Sequence, residues 1–561
     1  MKTIASRISP VLSGYRFHFL LLFCLIGYSS KPSCLYGQEA PKMIIKGTIT
    51  EAGSGEAIYG ATVYHPASKR GTAANEYGFF SLQVDQAQNH QLRFSAMGYR
   101  DTLLAASCQA RTCEVSIVLT PTSALLETVT VSANSELSSQ QFRNGVTTLS
   151  ALDIQRTPVL LGEKDILKSL QLLPGVSNPR EGFGGLFVRG GSPDQNLILL
   201  DDAPVYNAFH LFGFLSVFNP DAVRHVALHK GVFPARYGGR LSSVLDLRMK
   251  EGNREGFHGS GGIGLIAARV NLEGPIGKSK KFSYLLSGRR SYVDLLLGLL
   301  GDESEKNVIA FHDGNAKINF KPDDRNTFFL SSYTGRDRFV FANNFDDQQL
   351  EDGFSWGNTT FTLRWAHQLS DQAFLKTTLL RSDFNFEQYT EDIQDGIRFA
   401  NRVENGIRNL GAKMDLDLAL TSEHQLKAGA AVTEHTFISA VAALQEVSLD
   451  SFALATPQNT AQEYAVYLED SWSITPNWRV NLGLRWNGFA TEDQFYQNIE
   501  PRIFSQWQLG KTTALRAGYL RSNQYLHLLS NSGAGLPTDL WVATDDNIQP
   551  QRGWQVTGGW V

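Results

Sequence analysis

The sequence predicts a mainly β protein with an N-terminal β-sandwich, a small α+β domain, and part of a large antiparallel transmembrane β-barrel. Three observations lead to this fold class. Short strand-like runs separated by turn residues fill residues 42–120. In the C-terminal half, Val480, Leu482, Leu484 and Trp486 alternate with polar or small residues, as strands between lipid and water do. After residue 30, no apolar run reaches the roughly 20 residues that a membrane-spanning helix needs.

Composition narrows the functional classes. The 561 residues carry a net charge of -4, which gives no reason to expect a nucleic-acid partner. The mean hydropathy of -0.19 resembles that of a soluble protein. A β-barrel has the same average, because its lipid-facing residues alternate with polar residues that face the lumen. Composition therefore excludes a helical transporter and leaves a barrel open.

The N-terminus has the pattern of a secretory signal peptide. Lys2, Arg7 and Arg16 precede an apolar run over residues 19–27, and small and polar residues follow. We therefore expect residues 1–37 to be removed during export. The surroundings of Cys24 and Cys34 do not fit a lipoprotein signal, so we expect no lipid anchor.

Two cysteines remain in the mature chain, Cys108 and Cys113, with Q-A-R-T between them. An exported protein lies in an oxidising compartment, where disulfides persist. A local disulfide and two free thiols both remain open from the sequence.

Residues 42–120 are expected to form a small β-sandwich. The runs I-I-K-G-T-I-T, G-S-G-E-A-I-Y-G-A-T-V and N-E-Y-G-F-F-S-L resemble the carboxypeptidase-regulatory-like domain that precedes many Bacteroidetes outer-membrane receptors. A zinc carboxypeptidase needs His and Glu at short spacing, and no His in this sequence has Glu three residues later. We therefore expect a binding or spacer module, with no metal, no cofactor and no catalytic residue.

Three motifs follow one another in fixed order in the middle of the chain: V-R-G-G at Val188, Arg189, Gly190 and Gly191, then I-L-L-D-D-A-P-V-Y, then R-Y-G-G-R-L-S-S-V. They resemble the plug domain of TonB-dependent outer-membrane receptors, to which we assign residues 147–250. The resemblance associates Arg189 with contacts between plug and barrel wall. A buried arginine there needs carboxylate partners, which we expect from lumen-facing residues of the barrel.

Other features of this region favour structural roles. Residues 165–173 predict a helix that ends at Pro174 and Gly175 and buries one apolar face, consisting of Ile166, Leu167, Leu170 and Leu173. Asp201 and Asp202 are interpreted as a turn between two strands rather than as an acid/base pair. No neighbouring ligands complete a metal site around the three nearby histidines, which are His210, His225 and His229.

The linker over residues 121–146 contains E-T-V-T-V, formed by Glu127, Thr128, Val129, Thr130 and Val131. It resembles a TonB box, the peptide by which these receptors recruit their energy-transducing protein. An extended β-branched peptide can bind as an added strand at a sheet edge. A last strand of the preceding sandwich is the alternative.

Residues 251–561 are expected to form the barrel, although an exported soluble sandwich would alternate similarly. The G-x-G-x-x-G match over residues 259–264 lies in a strand pattern and opens no helix, so a dinucleotide site is not expected. About 13 or 14 candidate strands are present, whereas large plugged transporters use about 22. We therefore expect an N-terminal fragment that lacks part of its barrel.

The resemblance implies a receptor in the outer membrane, with its N-terminal domain in the periplasm, for TonB-dependent uptake of a scarce ligand. The ligand classes left open are siderophores, cofactors, oligosaccharides and peptides, with an iron complex among the candidates. Expected partners are a TonB-type protein, outer-membrane lipid and, as a further candidate, a surface lipoprotein. The alternatives are a passive porin or surface adhesin and, less favoured, an exported carboxypeptidase-like hydrolase.

Overall fold

The computed structural model describes most of the chain after residue 41. The described residues are 42–85, 89–108, 111–122, 146–150, 153, 159–160, 162–177, 185–300, 307–345, 348–394, 397–446, 458–510, 513–530 and 537–560. The expected signal peptide lies outside them.

The N-terminal sandwich consists of eight strands in two sheets. Its strands are β1 (Lys42–Glu51), β2 (Thr62–His65), β3 (Arg70–Ala73), β4 (Phe79–Asp85), β5 (Asn89–Ser95), β6 (Thr102–Ser107), β7 (Thr112–Glu114) and β8 (Ile117–Leu119). One sheet has the order β4-β1-β7, with β8 also paired to β1, and the other has the order β3-β2-β5-β6. Alternate apolar side chains such as Ile45, Leu82 and Phe94 are fully or almost fully buried between the sheets. Cys108 and Cys113 are joined by a disulfide at the edge of this core.

The middle domain is a small α+β unit. Its strands are β9 (Val146–Ser150), β10 (Val159–Leu160), β11 (Glu163–Lys164), β12 (Val176–Ser177), β13 (Phe187–Val188), β14 (Asn196–Leu200), β15 (Ala203–Pro204), β16 (Phe209–His210), β17 (Leu215–Ser216), β18 (Val223–Lys230) and β19 (Ser243–Met249). Its central sheet has the order β15-β14-β19-β18-β9, in which β14 and β19 are parallel. Short 3-10 helices cover Pro193–Gln195 and Leu211–Gly213.

Helix α1 (Ile166–Gln171) confirms the predicted helix of this domain, two residues shorter at its C-terminal end. Asp165 caps it, because its side chain accepts a hydrogen bond from the amide of Lys168. Ile166, Leu167 and Leu170 are buried in the domain core and Leu173 packs against it, as the apolar spacing predicts.

Fourteen strands form one antiparallel sheet, called here the barrel sheet. They are β20 (His258–Ile263), β21 (Ala267–Ile276), β22 (Phe282–Ser291), β23 (Val308–Phe320), β24 (Asn326–Phe345), β25 (Gln348–Gln368), β26 (Ala373–Gln394), β27 (Ile397–Ala419), β28 (His424–Glu446), β29 (Gln458–Thr475), β30 (Trp478–Ala490), β31 (Phe495–Gln508), β32 (Ala514–Gln524) and β35 (Gln551–Trp560). Helix α2 (Val293–Leu300) follows β22, and a separate hairpin of β33 (Leu526–Leu529) and β34 (Leu540–Ala543) follows β32. Residues 259–264 lie largely in β20, which confirms the strand interpretation of the glycine-rich match.

The two ends of the barrel sheet differ. At one end, called the short-turn end, the links between strands are two to five residues long, as at residues 476–477 and 369–372. Toward the other end, called the hairpin end, β24 to β28 continue for 20 to 23 residues each. About 9 to 11 residues are enough to cross a bilayer, so these strands extend well beyond the membrane at the hairpin end.

The outer face of the sheet is apolar where a bilayer would lie. Exposed side chains such as Leu363, Leu379 and Leu468 alternate with buried inward-facing ones. Near the short-turn end, Phe282, Phe320, Phe328 and Trp365 stack in a row across four neighbouring strands, with centroids 4.2, 6.1 and 6.0 Å apart. An aromatic row at this height is typical of a membrane interface. No helix in the described part of the chain is both long and apolar enough to cross a membrane.

Strand β26 has two faces that alternate along the sequence. Thr378, Leu380, Ser382, Phe384 and Phe386 lie on one of them. This face points inward, and Phe384 and Phe386 pack inside the sheet. The reason is that this part of β26 carries a polar outer face, with Arg381 and Asp383 forming an ion pair, while the aromatic side chains are buried in the lumen.

The barrel sheet wraps around the middle domain. Inward-facing side chains from β22 to β35 contact it, including Arg289 to the carbonyl of Ser216, Asn358 to Tyr206, Glu469 to the amide of Ala235, and Gln555 to the carbonyl of Leu241. The middle domain therefore lies inside the lumen. Its contact with the barrel sheet is the candidate functional site.

Candidate functional site

Asp201 and Asp202 form the turn between β14 and β15, as predicted. Both residues have positive φ, 48° and 72°, a conformation that aspartate tolerates better than most residues. Their side chains are nearly completely buried, at 1% and 6% exposure. Buried carboxylates need compensating charges, so this turn is more than a connection.

The barrel wall and the middle domain supply those charges. Arg248 of β19 makes a two-point contact with Asp202, at 2.8 and 3.0 Å. Arg364 of β25 lies 2.9 Å from the Asp202 carboxylate, and Lys317 of β23 lies 2.9 Å from that of Asp201. Burial alone would favour protonation, but Arg248 and Lys376 outweigh it and hold the pKa of Asp202 well below its usual range. Ion pairs with Lys317 and Arg364 therefore hold the turn against the barrel wall.

The same network continues to the N-terminal sandwich. Lys376 of β26 lies 3.1 Å from Asp415 of β27 and 2.9 Å from Glu76, a sandwich residue. Glu76 also lies 3.0 Å from Arg248. We call this set of Glu76, Asp201, Asp202, Arg248, Lys317, Arg364, Lys376 and Asp415 the ionic node. It joins all three parts of the chain.

A second contact between the middle domain and the barrel wall lies farther toward the hairpin end, at His210. Its ring nitrogens lie 2.6 Å from Asp337 of β24 and 3.3 Å from Asp313 of β23, and Arg289 lies 2.7 Å from Asp313. Burial disfavours the charged ring, but the two aspartates outweigh it and raise the pKa of His210. The sequence analysis identified no partners for His210, because the aspartates come from strands more than 100 residues away in sequence.

An aromatic cluster lies toward the hairpin end. Tyr206 packs edge-on against Trp541 of β34 with centroids 4.9 Å apart, and Phe489 stacks on Tyr525 at 4.8 Å. Tyr206 is also fixed to β25, since its backbone exchanges hydrogen bonds with the side chain of Asn358 at 3.0 and 3.1 Å. The β33–β34 hairpin therefore closes over the middle domain through aromatic contacts.

A cavity of about 110 Å³ separates the middle domain from β26 to β30. Five cationic and three anionic side chains line it: Arg236, Arg240, Lys376, Lys413 and Arg485, against Asp202, Asp415 and Glu463. Within the described residues, Arg240, Lys413 and Arg485 have no carboxylate within 4 Å and donate to carbonyl or amide oxygens instead. The cavity therefore has an excess of positive charge.

The V-R-G-G motif is at the edge of the middle domain. Val188 is buried in the core, and Ser242 donates a hydrogen bond to its carbonyl at 2.6 Å. A Cβ at Gly191 would lie 2.5 Å from the side chain of Ser242, so this close approach requires glycine.

Arg189 does not have the expected surroundings. It has a positive φ of 49° and an exposed side chain, and no carboxylate lies within 4 Å of it in the described part of the chain. Its guanidinium instead lies over Gly231, where a Cβ would be 2.7 Å away. The expectation of a buried Arg189 paired with barrel carboxylates is therefore wrong for this structure, because the turn directs the side chain outward.

Two further expectations concern the segment from Glu127 to Val131 and a metal site. The segment from Glu127 to Val131 lies outside the described residues, so its role stays a prediction. Among the described residues, no three His, Cys, Asp or Glu side chains are placed to hold a metal ion.

The charged residues of the barrel wall were missed by sequence reasoning. Lys317, Arg364 and Lys376 occur at inward-facing positions of their strands. Three cations at such positions on β23, β25 and β26 would have been the signal for an acidic partner in the lumen. Which partner they meet depends on strand register, which the sequence does not show.

Comparison with known protein families agrees with this architecture. Residues 45–131 match the model described as CarboxypepD_reg-like domain, and residues 138–243 match the TonB-dependent Receptor Plug Domain. Residues 304–561 match the model described as TonB dependent receptor-like, beta-barrel. No curated protein matches the chain.

Solved structures share the fold at low sequence identity. A mutant of the ferric enterobactin receptor PfeA from Pseudomonas aeruginosa is 16% identical, with 76% of this chain and 69% of that chain covered and a TM-score of 0.51. The siderophore receptor PirA from Acinetobacter baumannii is 16% identical over 74% of this chain and 68% of that one, with a TM-score of 0.52. The outer membrane transporter YddB from Escherichia coli is 14% identical over 68% and 61%, with a TM-score of 0.50.

Proposed function

The chain belongs to the TonB-dependent receptor family, and from this premise we propose that it takes up an anionic metal complex of the siderophore type. Membership places the protein in the outer membrane, with the sandwich in the periplasm, and its function is TonB-dependent ligand uptake. The short-turn end is therefore periplasmic, the hairpin end is extracellular, and the middle domain is the plug.

The excess positive charge of the cavity beside the plug carries the proposal about the ligand. Arg240, Lys413 and Arg485 border the space between plug and wall without a carboxylate partner in the described residues. A volume of about 110 Å³ holds only a few water molecules, so the cavity marks a path that widens when the plug moves. Because cations outnumber carboxylates in this lining, an anion is favoured in such a path. PfeA and PirA, whose fold this chain shares, are receptors for ferric enterobactin and for a siderophore, respectively.

Uptake of radioiron-labelled ferric enterobactin, an anionic probe, tests this proposal against radiocobalt-labelled cobalamin. We expect cells producing the protein to accumulate the iron probe. Lys413→Gln should lower the uptake rate while leaving binding of the probe at the cell surface unchanged. Lys427→Gln, which removes an exposed lysine from the neighbouring strand β28, is the matched control. Equal uptake by the Lys413→Gln and unmodified proteins would contradict the proposed path.

We further propose that Glu127 to Val131 is the segment that binds the TonB-type protein. Support comes from its position just ahead of the plug match, which begins at residue 138, and from its resemblance to a TonB box. Deletion of these five residues should abolish uptake of the iron probe and leave its surface binding intact. Unchanged uptake would refute this assignment.

Two finer points are also proposals. The family and fold are those of transport receptors, and we propose that the chain performs no bond chemistry, which a peptidase assay on the purified full chain tests. A surface lipoprotein is a candidate partner of the hairpin end. Its presence is tested by isolating the tagged receptor from outer membranes in mild detergent and asking for a lipid-modified protein in equimolar amount.

A further inference from the structure

We propose that the N-terminal sandwich is a second gate of the receptor, docked on the plug and the barrel through Glu76, and that it must undock before the plug moves. The inference goes beyond the ligand class, and it rests on the proposed uptake function and on the proposed TonB-binding segment for the order in which the two domains move. The docked arrangement itself is a feature of the structure.

Glu76 is the centre of the docking contact. Its carboxylate lies 3.0 Å from Arg248 of the plug, 3.8 Å from Arg236 of the plug, and 2.9 Å from Lys376 of the barrel wall. Burial alone would raise its pKa, but Arg248 and Lys376 outweigh burial and lower it, so Glu76 is ionised at neutral pH. One sandwich carboxylate therefore binds both the moving part and the fixed part of the receptor.

Aromatic side chains hold the same loop in place. Tyr77, next to Glu76, lies 5.5 Å from Phe329 and 5.2 Å from Phe374, measured between ring centroids. Phe79 stacks on Phe374 at 5.5 Å. Both barrel aromatics are almost completely buried, although they lie at the periplasmic ends of β24 and β26. The sandwich thus inserts the loop from Glu76 to Phe79 into the lumen, where its burial contributes hydrophobic stabilisation.

Further ion pairs join the sandwich to the short turns at the periplasmic end of the barrel sheet. Lys46 lies 2.7 Å from Asp371 in the turn after β25, and Arg70 lies 2.7 Å from Glu423 in the turn after β27. On the plug side, Glu56 lies 3.0 Å from Arg224 of β18. The sandwich therefore spans plug and barrel at three separated points, and any displacement of the plug relative to the wall has to break one set of contacts.

The two links on either side of Glu127–Val131 differ in length, and this difference indicates which domain a pull on that segment would load first. Four residues separate the last described sandwich residue, Thr122, from Glu127, whereas fourteen separate Val131 from β9 of the plug. At about 3.5 Å per extended residue, the link to the sandwich can span roughly 35 Å less than the link to the plug. We therefore expect a pull on Glu127–Val131, the proposed TonB-binding segment, to load the docked sandwich before it loads the plug.

A reversible cross-link between sandwich and barrel tests the gate. Arg70→Cys with Glu423→Cys replaces a partly exposed ion pair, which contributes little to stability, so docking is retained. A bifunctional methanethiosulfonate reagent with a span of about 10 Å joins the two thiols and is removed by reductant. We expect the cross-link to abolish uptake of ferric enterobactin, reductant to restore it, and surface binding of the probe to stay constant.

The matched control joins two barrel strands. Thr334→Cys with Thr359→Cys links residues that face each other on β24 and β25, with their hydroxyl oxygens 3.3 Å apart. This cross-link should leave uptake unchanged, because it does not involve the sandwich. Uptake that continues at an unchanged rate with Arg70→Cys and Glu423→Cys joined would overturn the gate.

A second measurement does not depend on the ligand. The yield of the Arg70→Cys/Glu423→Cys cross-link is compared between energised cells and cells treated with an uncoupler. We expect a yield at least twofold lower in energised cells, because the sandwich spends time undocked, and an equal yield would overturn the inference. If the unmodified protein fails to take up ferric enterobactin, the proposed ligand is wrong, and the yield comparison still decides the gate.

Discussion

Glu76 of the N-terminal sandwich and Arg248 of the plug lie 3.0 Å apart in a buried contact that Lys376 of the barrel shares. The three residues come from three parts of the chain that the sequence separates by more than 100 residues each. Arg248 also holds Asp202, so the contact connects the periplasmic domain directly to the turn that locks the plug. Changes at Glu76 should therefore affect docking of the sandwich without altering the fold of the barrel.

Glu76→Ala should release the sandwich. Removing one partner of a buried ion pair costs about 3–5 kcal/mol, because the remaining cations lose a compensating charge. We expect trypsin to separate the sandwich from the purified receptor at least tenfold faster in this variant. Glu114→Ala, which removes an exposed carboxylate 3.5 Å from Lys46, is the control and should leave the rate unchanged. A rate for Glu76→Ala equal to that of the control would show that Glu76 does not hold the domain.

Asp202→Asn should destabilise the seating of the plug. The substitution keeps the size of the side chain but leaves Arg248 and Arg364 without the carboxylate that both contact. We expect the free energy of unfolding in detergent to fall by about 3–5 kcal/mol. Asp383→Asn is the control, since it removes a partly exposed partner of Arg381 and should cost about 0–1 kcal/mol. Equal losses in the two variants would contradict the assignment of the ionic node.

The contact of His210 should weaken as pH rises. Its pKa is raised in the folded protein by Asp337 and Asp313, so the charged ring contributes stability that is fully present below the unfolded pKa of about 6.5. That contribution is lost as pH rises through the higher, folded-state pKa. The melting temperature of the unmodified protein should therefore exceed that of His210→Gln most at pH 6, and the difference should shrink toward pH 9. His258→Gln, at an exposed histidine, should show no such trend, and a constant difference for His210→Gln would argue against a charged ring.

Trp541 should hold the β33–β34 hairpin over the plug. Its ring packs against Tyr206 and lies 5.4 Å from the Arg240 guanidinium. Trp541→Ala removes a large buried side chain, at a cost of about 3–5 kcal/mol. We expect faster hydrogen exchange of the β33 and β34 amides, with exchange in β26 unchanged. Trp554→Ala, at an exposed tryptophan of β35, should leave the hairpin protected. Protection that survives Trp541→Ala would show that other contacts close the hairpin.

The architecture could be predicted from the sequence because each part has a local signature. Alternation identifies strands such as β30, the spacing of Ile166, Leu167 and Leu170 identifies α1, and the order of the plug motifs identifies the domain around them. The turn at Asp201 and Asp202 was also predictable from its position between two apolar runs.

The partners of these residues could not be predicted, since they depend on register and on docking between distant segments. Asp202 meets Arg364 because β25 faces the β14–β15 turn, and no local pattern encodes that pairing. Alternation also leaves the direction of a face open. It defines two faces of a strand, but the face of β26 that carries Phe384 could be placed in the lumen only from the structure.

Accumulation of radioiron-labelled ferric enterobactin by cells with and without a functional TonB-type protein tests whether the receptor transports its ligand actively. We expect accumulation against a concentration gradient that disappears when the TonB-type protein is absent or when an uncoupler is added, while binding at the cell surface persists. Accumulation that is the same with and without the TonB-type protein would contradict it and would favour a passive porin.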